Sequence, residues 1–363
     1  MTYSVPASLL LAGEYAVTRP GGEGLALAVS PRAWVSLQGD LSSRGRAAFR
    51  RDLFRERPCL GVQALQGSAG TSHWPDDPLP VVQPVLTALT EILPRDIPDQ
   101  NPPEDQPPQP GTPPRKKDPL WTITIDTSRF FSARGGLKQG LGSSAAATVL
   151  LTVAVLHLIG LDPLRNKPLL FRIAHRAHRL LQGGRGSGYD LACSITGGTI
   201  HFTGGDPPEW TPLELHTQWA ATGLSLFSST SGTPVKSSAA VEAFNKAFPP
   251  GSGIDNHALK RFLKRNNAVV EALRQATSSE ELFSALARAR EISRHLGEQI
   301  GVPAAAPIPS PGSHWQAKTS GAGDEQIIIF ATGSSREGAP EDYPGESTSL
   351  TVEPLGLIRE EHP

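Results

Sequence analysis

A chain of 363 residues, 38% hydrophobic and 19% charged, is too long for one small core and has the make-up of a two-domain globular protein. Its formal net charge of -1 gives no general attraction to DNA, RNA or anionic membrane, which excludes nucleic-acid and membrane-surface roles and leaves a small molecule as the expected partner. Cys59 and Cys193 stand far apart without CxxC spacing or a nearby histidine pair, so neither a zinc site nor a disulfide framework is encoded.

From the N-terminus, LLLAGEYAV, LALAVS and AWVSLQG are short aliphatic runs broken by Gly and Pro, which predicts a meander of strands. No basic region followed by a cleavable apolar stretch precedes them, and a cytoplasmic location is expected. VVQPVLTALTEIL reads as a helix, and WTITID (Trp121 to Asp126) alternates as a half-buried strand does. Residues 95–118, dense in proline, polar and charged side chains, cannot bury enough apolar surface to offset their ordering entropy and read as a flexible surface insertion.

Next come GLGSSAAATVLLTVAVLHLIG as loop plus long helix, FRIAHRAHRLLQG as a second helix and GGTIHFTGG as a strand. The apolar run from Ala145 to Leu161 is shorter than the roughly 20 residues of a membrane span and contains His157, so it predicts a helix buried on all sides. Past Gly205 the pattern predicts a strand pair at LELHTQW and TGLSLFSS, helices at AAVEAFNKAF, NHALKRFLKRNNAVVEALRQA and SEELFSALARAREISRHLGEQIG, and strands at EQIIIFA and STSLTVEPL. Clustered rather than alternating elements predict an α+β fold in two domains, 1–204 and 205–363.

The sharpest local signal is GLGSSAAA, Gly140 to Ala147. Its glycines free the backbone just before a long helix, so several N–H groups and the positive end of the helix dipole converge on one place, an anion site. The GxxxxGK[ST] pattern is absent, so this is not a Walker-type loop.

KQGLGSSAA (Lys138 to Ala146), VPASLLLAGEYAV near the N-terminus and KTSGAGDEQIII near the C-terminus occur in the order of the motifs of GHMP kinases, which this chain resembles. Within that superfamily, LLLAGEY, the lysine before GLGSSAA, AHRLLQGGRGSGYDLACSITGG and SGTPVKSS are similar to phosphomevalonate kinases. The resemblance implies the two-domain GHMP fold, with the active site in the cleft between the domains. It implies ATP and Mg²⁺ as cofactors, with ATP phosphates on Gly140, Leu141, Gly142, Ser143, Ser144 and Ala145 and the Ser144 hydroxyl beside the metal.

Asp190 matches the superfamily's acidic residue beside the acceptor, and Lys138 is the first choice among Lys138, Lys236 and Lys318 for a cation where two polyanions meet. The resemblance places Glu14, Tyr15, Ser187, Gly188, Lys236, Ser320, Gly321 and Ala322 around the acceptor. The phosphate of a phosphomonoester acceptor, with a second pKa of about 6, would already be largely ionised at neutral pH, so Asp190 would orient more than deprotonate it.

Two departures touch the site. VPAS puts Ser8 where the family's APGK has a lysine, and SGAGDEQ lacks the glycines that usually follow SGAG. A metal-binding glutamate of mevalonate kinases is matched by Arg179, while His175 and His178, three apart on a helix face, read as structural. The expected activity is ATP-dependent phosphorylation of phosphomevalonate by a monomer or homodimer. The alternatives are mevalonate or another small alcohol as acceptor, or a kinase-like binding protein without turnover.

Overall fold

The structure, a computed structural model, describes residues 1–39, 46, 49, 60–65, 71–72, 80–93, 121–131, 139–230, 237–249, 257–302, 314–321, 323, 326–333, 343 and 346–361. The stretch 95–118, Lys138, Lys236 and Ala322 lie outside them.

The larger sheet is built on β1 (Thr2–Ala12) and β2 (Glu23–Gly39), paired antiparallel along most of their length. LALAVS and AWVSLQG therefore form one strand rather than two, continuous through Pro31. On its other side β2 is long enough to carry two neighbours in tandem: β5 (Trp121–Asp126) against Trp34 to Gly39, and β6 (Thr199–Thr203) against Glu23 to Leu27. β3 (Leu60–Leu65) joins β5 in parallel and pairs with β4 (Thr71–Ser72), and β7 (Glu209–Leu213) joins β6.

The smaller antiparallel sheet has the order β11-β8-β10-β9, with β8 (Leu224–Thr230), β9 (Trp315–Ser320), β10 (Gln326–Thr332) and β11 (Thr348–Leu350). The chain then returns, and β12 (Ile358–Glu360) closes the free edge of β1 in the larger sheet.

The helices are α1 (Val82–Ile92), α2 (Ser143–Leu158), α3 (Lys167–Leu181), α4 (Tyr189–Thr196), α5 (Leu215–Ala221), α6 (Ser237–Ala247), α7 (His257–Gln275) and α8 (Ser279–Ile300). Fifteen of the sixteen residues of α2 are buried, as its uniformly apolar sequence requires. It packs on β1, β2 and β5 with α1, α3 and α4 around it, so the N-terminus of α2 and the loop before it are held by a rigid core. Among the described residues no helix is long and apolar enough to cross a membrane.

α8 begins with reciprocal capping. The Ser278 hydroxyl accepts from the Glu281 N–H at 3.2 Å, and the Glu281 carboxylate accepts from the Thr277 N–H at 2.8 Å. Asn266 and Asn267 of α7 donate to the carbonyls of Glu23 and Gly21, which fixes that helix to the start of β2. Helices and largely antiparallel sheets make this the expected α+β fold.

Two local expectations are corrected. LELHTQW is not a strand: β7 ends at Leu213, and Leu215 and Trp219, four apart and both buried, open onto one face of α5. WQAKTS, not read as a strand, forms β9, whose six residues are all buried, with Trp315 and Ala317 in one core cluster.

Candidate active site

GLGSSAA owes its shape to two left-handed residues, Gly140 (φ +68°) and Gly142 (φ +77°), the second preceding α2 without any side-chain cap. The first intrahelical bond among these residues runs from Ala146 N–H to the Gly142 carbonyl, which leaves the N–H groups of Ser143, Ser144 and Ala145 at the helix mouth without intrahelical acceptors. Unsatisfied donors at the positive end of a sixteen-residue helix suit phosphate oxygens. The loop is held from below by β1, through a bond from the Ser8 N–H to the Leu141 carbonyl at 3.2 Å.

A cavity of about 170 Å³ opens in front of this mouth. Gly140, Gly142, Ser144 and Ala145 line it, while Leu141 and Ser143 are buried in the core side of the loop. Asp190, Ser187, Glu14, Tyr15, Ser320 and Gly321 line the same cavity. Gly188, left-handed at φ +87°, starts α4 and thereby places Asp190 in its first turn, where the Leu191 N–H donates to Asp190 Oδ1 at 2.9 Å. The turn after β9 is anchored by Ser320, whose hydroxyl donates to the Leu10 carbonyl at 2.9 Å.

The charges are arranged differently from a simple cationic funnel. Lys318 is buried and donates to the Glu14 carboxylate and to its neighbour's carbonyl at Thr319, so it does not line the cavity. Arg185 does line it, paired with Glu242 at 2.9 Å. Ser8 is buried with its hydroxyl unpartnered, 2.7 Å from where a Cβ on Gly142 would stand, and does not reach the cavity. Among the described residues no cluster of three His, Cys, Asp or Glu side chains could hold a metal. A cation here would be shared by Ser144 and ligand oxygens, which the exposed mouth of α2 accommodates.

Tyr15 has a positive φ of 62°, uncommon for a residue with a Cβ, and its ring lies 5.2 Å from that of Phe244 in α6. Burial, then the adjacent Glu14 carboxylate, push its phenol well above the ordinary tyrosine range.

Sequence reasoning gave no site role to His178 and Gln182. Both line the cavity, and His178 Nδ1 lies 4.0 Å from Asp190 Oδ1. The signal was present in their spacing: four apart, in the last turn of α3 and at the residue that caps it, their side chains meet at 3.1 Å.

Residues 131–198 match the model of the GHMP kinases N terminal domain. The phosphomevalonate kinase of Streptomyces sp. (strain CL190) is 26% identical over 326 residues, covering 82% of this chain and 79% of that protein. The peroxisomal phosphomevalonate kinase of Arabidopsis thaliana is 33% identical over 93 residues, which are 22% of this chain and only 18% of that longer protein. In fold the chain is similar to Streptococcus pneumoniae phosphomevalonate kinase, solved with phosphomevalonate and AMPPNP, at a TM-score of 0.58 and 18% identity over 92% of this chain and 93% of that one. With three motifs in order and a glycine loop opening onto the N-terminus of a buried helix, residues 131–198 match the GHMP kinase N-terminal domain, and the sequence relatives of the chain include phosphomevalonate kinases.

Proposed function

We propose that the protein is an ATP-dependent kinase that transfers a phosphoryl group to phosphomevalonate, giving diphosphomevalonate and ADP. The observation that carries this reading is that the uncapped mouth of α2 and Asp190 line one cavity, the first with backbone donors for a nucleotide and the second with a carboxylate for an acceptor. Phosphoryl transfer asks the protein mainly for positioning and charge stabilisation, and a cavity lined by both groups suits those demands.

In this reading Gly140 to Ala145 hold the ATP phosphates, and the Ser144 hydroxyl is the protein's oxygen beside Mg²⁺, which neutralises charge between the two substrates. Asp190 orients the acceptor, whose terminal phosphate is already ionised at neutral pH. Ser187, Gly188, Ser320 and Gly321 supply hydroxyl and backbone contacts to that acceptor. Glu14 acts through its pairing with Lys318, which keeps the carboxylate from repelling a phosphorylated ligand. Lys138, Lys236 and Ala322 are proposed for the same region on the motif match alone, and residues 1–204 and 205–363 are proposed as the two domains.

A second reading, mevalonate or a similar alcohol as acceptor, is favoured by one feature: Arg185 is the one guanidinium or ammonium in the described wall, and it is itself paired with Glu242. Steady-state ADP formation with Mg²⁺ and ATP, offered phosphomevalonate, mevalonate and homoserine separately, tests both. A kcat/KM highest for phosphomevalonate supports the proposal, and a preference for either alcohol overturns its acceptor assignment.

A further inference from the structure

With Ser8 sealed under Gly142 and Lys318 committed to Glu14, the group that faces Asp190 from α3 is the His178 imidazole. The side chain is 2% exposed, so its ring nitrogens have few choices. Nε2 lies 3.1 Å from the Gln182 side-chain amide nitrogen, a donor, and must therefore accept. Nδ1 has no hydrogen-bond partner among the described residues and lies 4.0 Å from Asp190 Oδ1, against which a bare lone pair would be repelled. Both neighbours select the same neutral tautomer, with the proton on Nδ1.

The loop from Gly183 to Gly188 is fitted over this pair. A Cβ on Gly186 would stand 2.7 Å from Gln182 Oε1 and 3.5 Å from His178 Nδ1, so a side chain there would press the amide out of place.

We propose that His178 is a positioning residue for Asp190: Gln182 fixes it as the Nδ1–H tautomer, and Nδ1, 4.0 Å from Asp190 Oδ1, donates to that oxygen when the site closes on its substrates. Catalytic hydrogen bonds are commonly long before ligands bind, and a movement of about 1 Å brings this one into range. Oδ1 would then be held by His178 and the Leu191 N–H together, leaving Oδ2 for the acceptor. This role rests on the kinase reading above; the tautomer does not.

The test has two arms. In ¹⁵N-histidine-labelled protein, with His178 assigned through a His178→Asn variant, the neutral ring should show a protonated Nδ1 and a bare Nε2. Gln182→Leu should move it toward the Nε2–H form. In kinetics with phosphomevalonate, His178→Leu should lower kcat about tenfold to a hundredfold at unchanged KM for ATP. His178→Asn, which keeps an N–H near the position of Nδ1, should recover most of that loss.

An Nε2–H tautomer in the natural protein overturns the proposal, and so does a folded His178→Leu with natural kcat. If the natural protein turns over no acceptor, the kinase reading fails and the positioning role with it, while the NMR arm still decides the tautomer. Should His178→Leu fail to fold, Gln182→Leu serves in the kinetic arm, and an unchanged kcat there despite an altered tautomer also overturns the proposal.

Discussion

Lys318 donates to Glu14 in the interior, its ammonium 1% and the carboxylate 9% exposed, linking the strand that leads into the SGAG turn with the first motif. Removing one member of a buried pair strands the other charge. Lys318→Met should therefore destabilise the protein by about 3–5 kcal/mol in urea unfolding. The double variant Glu14→Gln with Lys318→Met should recover most of that loss. An additive double variant would show that the two charges do not depend on each other.

Gly142 and Ser8 should couple in the same way, through shape instead of charge. Alanine at 142 must adopt φ +77° and meets the Ser8 hydroxyl at 2.7 Å, so Gly142→Ala should cost about 1–3 kcal/mol of stability and weaken binding of an ATP analogue. In a Ser8→Ala background the contact disappears and only the backbone strain remains. The cost of Gly142→Ala should be smaller there; equal costs in both backgrounds would show that the contact carries no energy.

Asp190→Asn keeps the shape of the side chain and removes its charge. With phosphomevalonate, kcat should fall by about a hundredfold or more, while calorimetry with Mg²⁺ and an ATP analogue should show unchanged affinity, because the proposed nucleotide contacts come from the mouth of α2 and not from Asp190. Loss of nucleotide affinity would place Asp190 in the ATP site instead.

His157, in the last turn of α2, receives the Tyr3 hydroxyl at 3.2 Å, and its Nε2 has no partner among the described residues. Burial, then the positive charges of Arg46 and Arg359, lower its pKa from 6.5 to about 4. The unfolded chain therefore binds more protons than the folded one between about pH 6.5 and pH 4, and stability falls as pH is lowered through that window. His157→Leu should flatten the fall, measured by denaturant midpoints at several pH values; a parallel curve would assign the loss to other groups.

The loop and Asp190 were legible in the sequence because their behaviour is local. Gly140 and Gly142 allow the turn, the apolar run fixes α2, and Gly188 sets the start of the helix that carries Asp190. The partner of Lys318 was not legible, since it follows from β9 packing against β1, just before Glu14, a contact between segments 304 residues apart that no local pattern announces. The same holds for His178, which meets Asp190 only because the loop from Gly183 to Gly188 folds back over α3. LELHTQW misled because Leu213, Leu215 and Trp219 satisfy a strand period and Leu215 with Trp219 a helical one, and packing chose between them.

The most direct test of the kinase reading is ³¹P NMR of a reaction containing the purified protein, Mg²⁺, ATP and phosphomevalonate, run beside Asp190→Ala. The account predicts that ADP and a new diphosphate monoester appear together in equal amounts with the natural protein and not with the variant. ATP left intact under conditions where an ATP analogue binds, or ADP formed without the diphosphate, would contradict it.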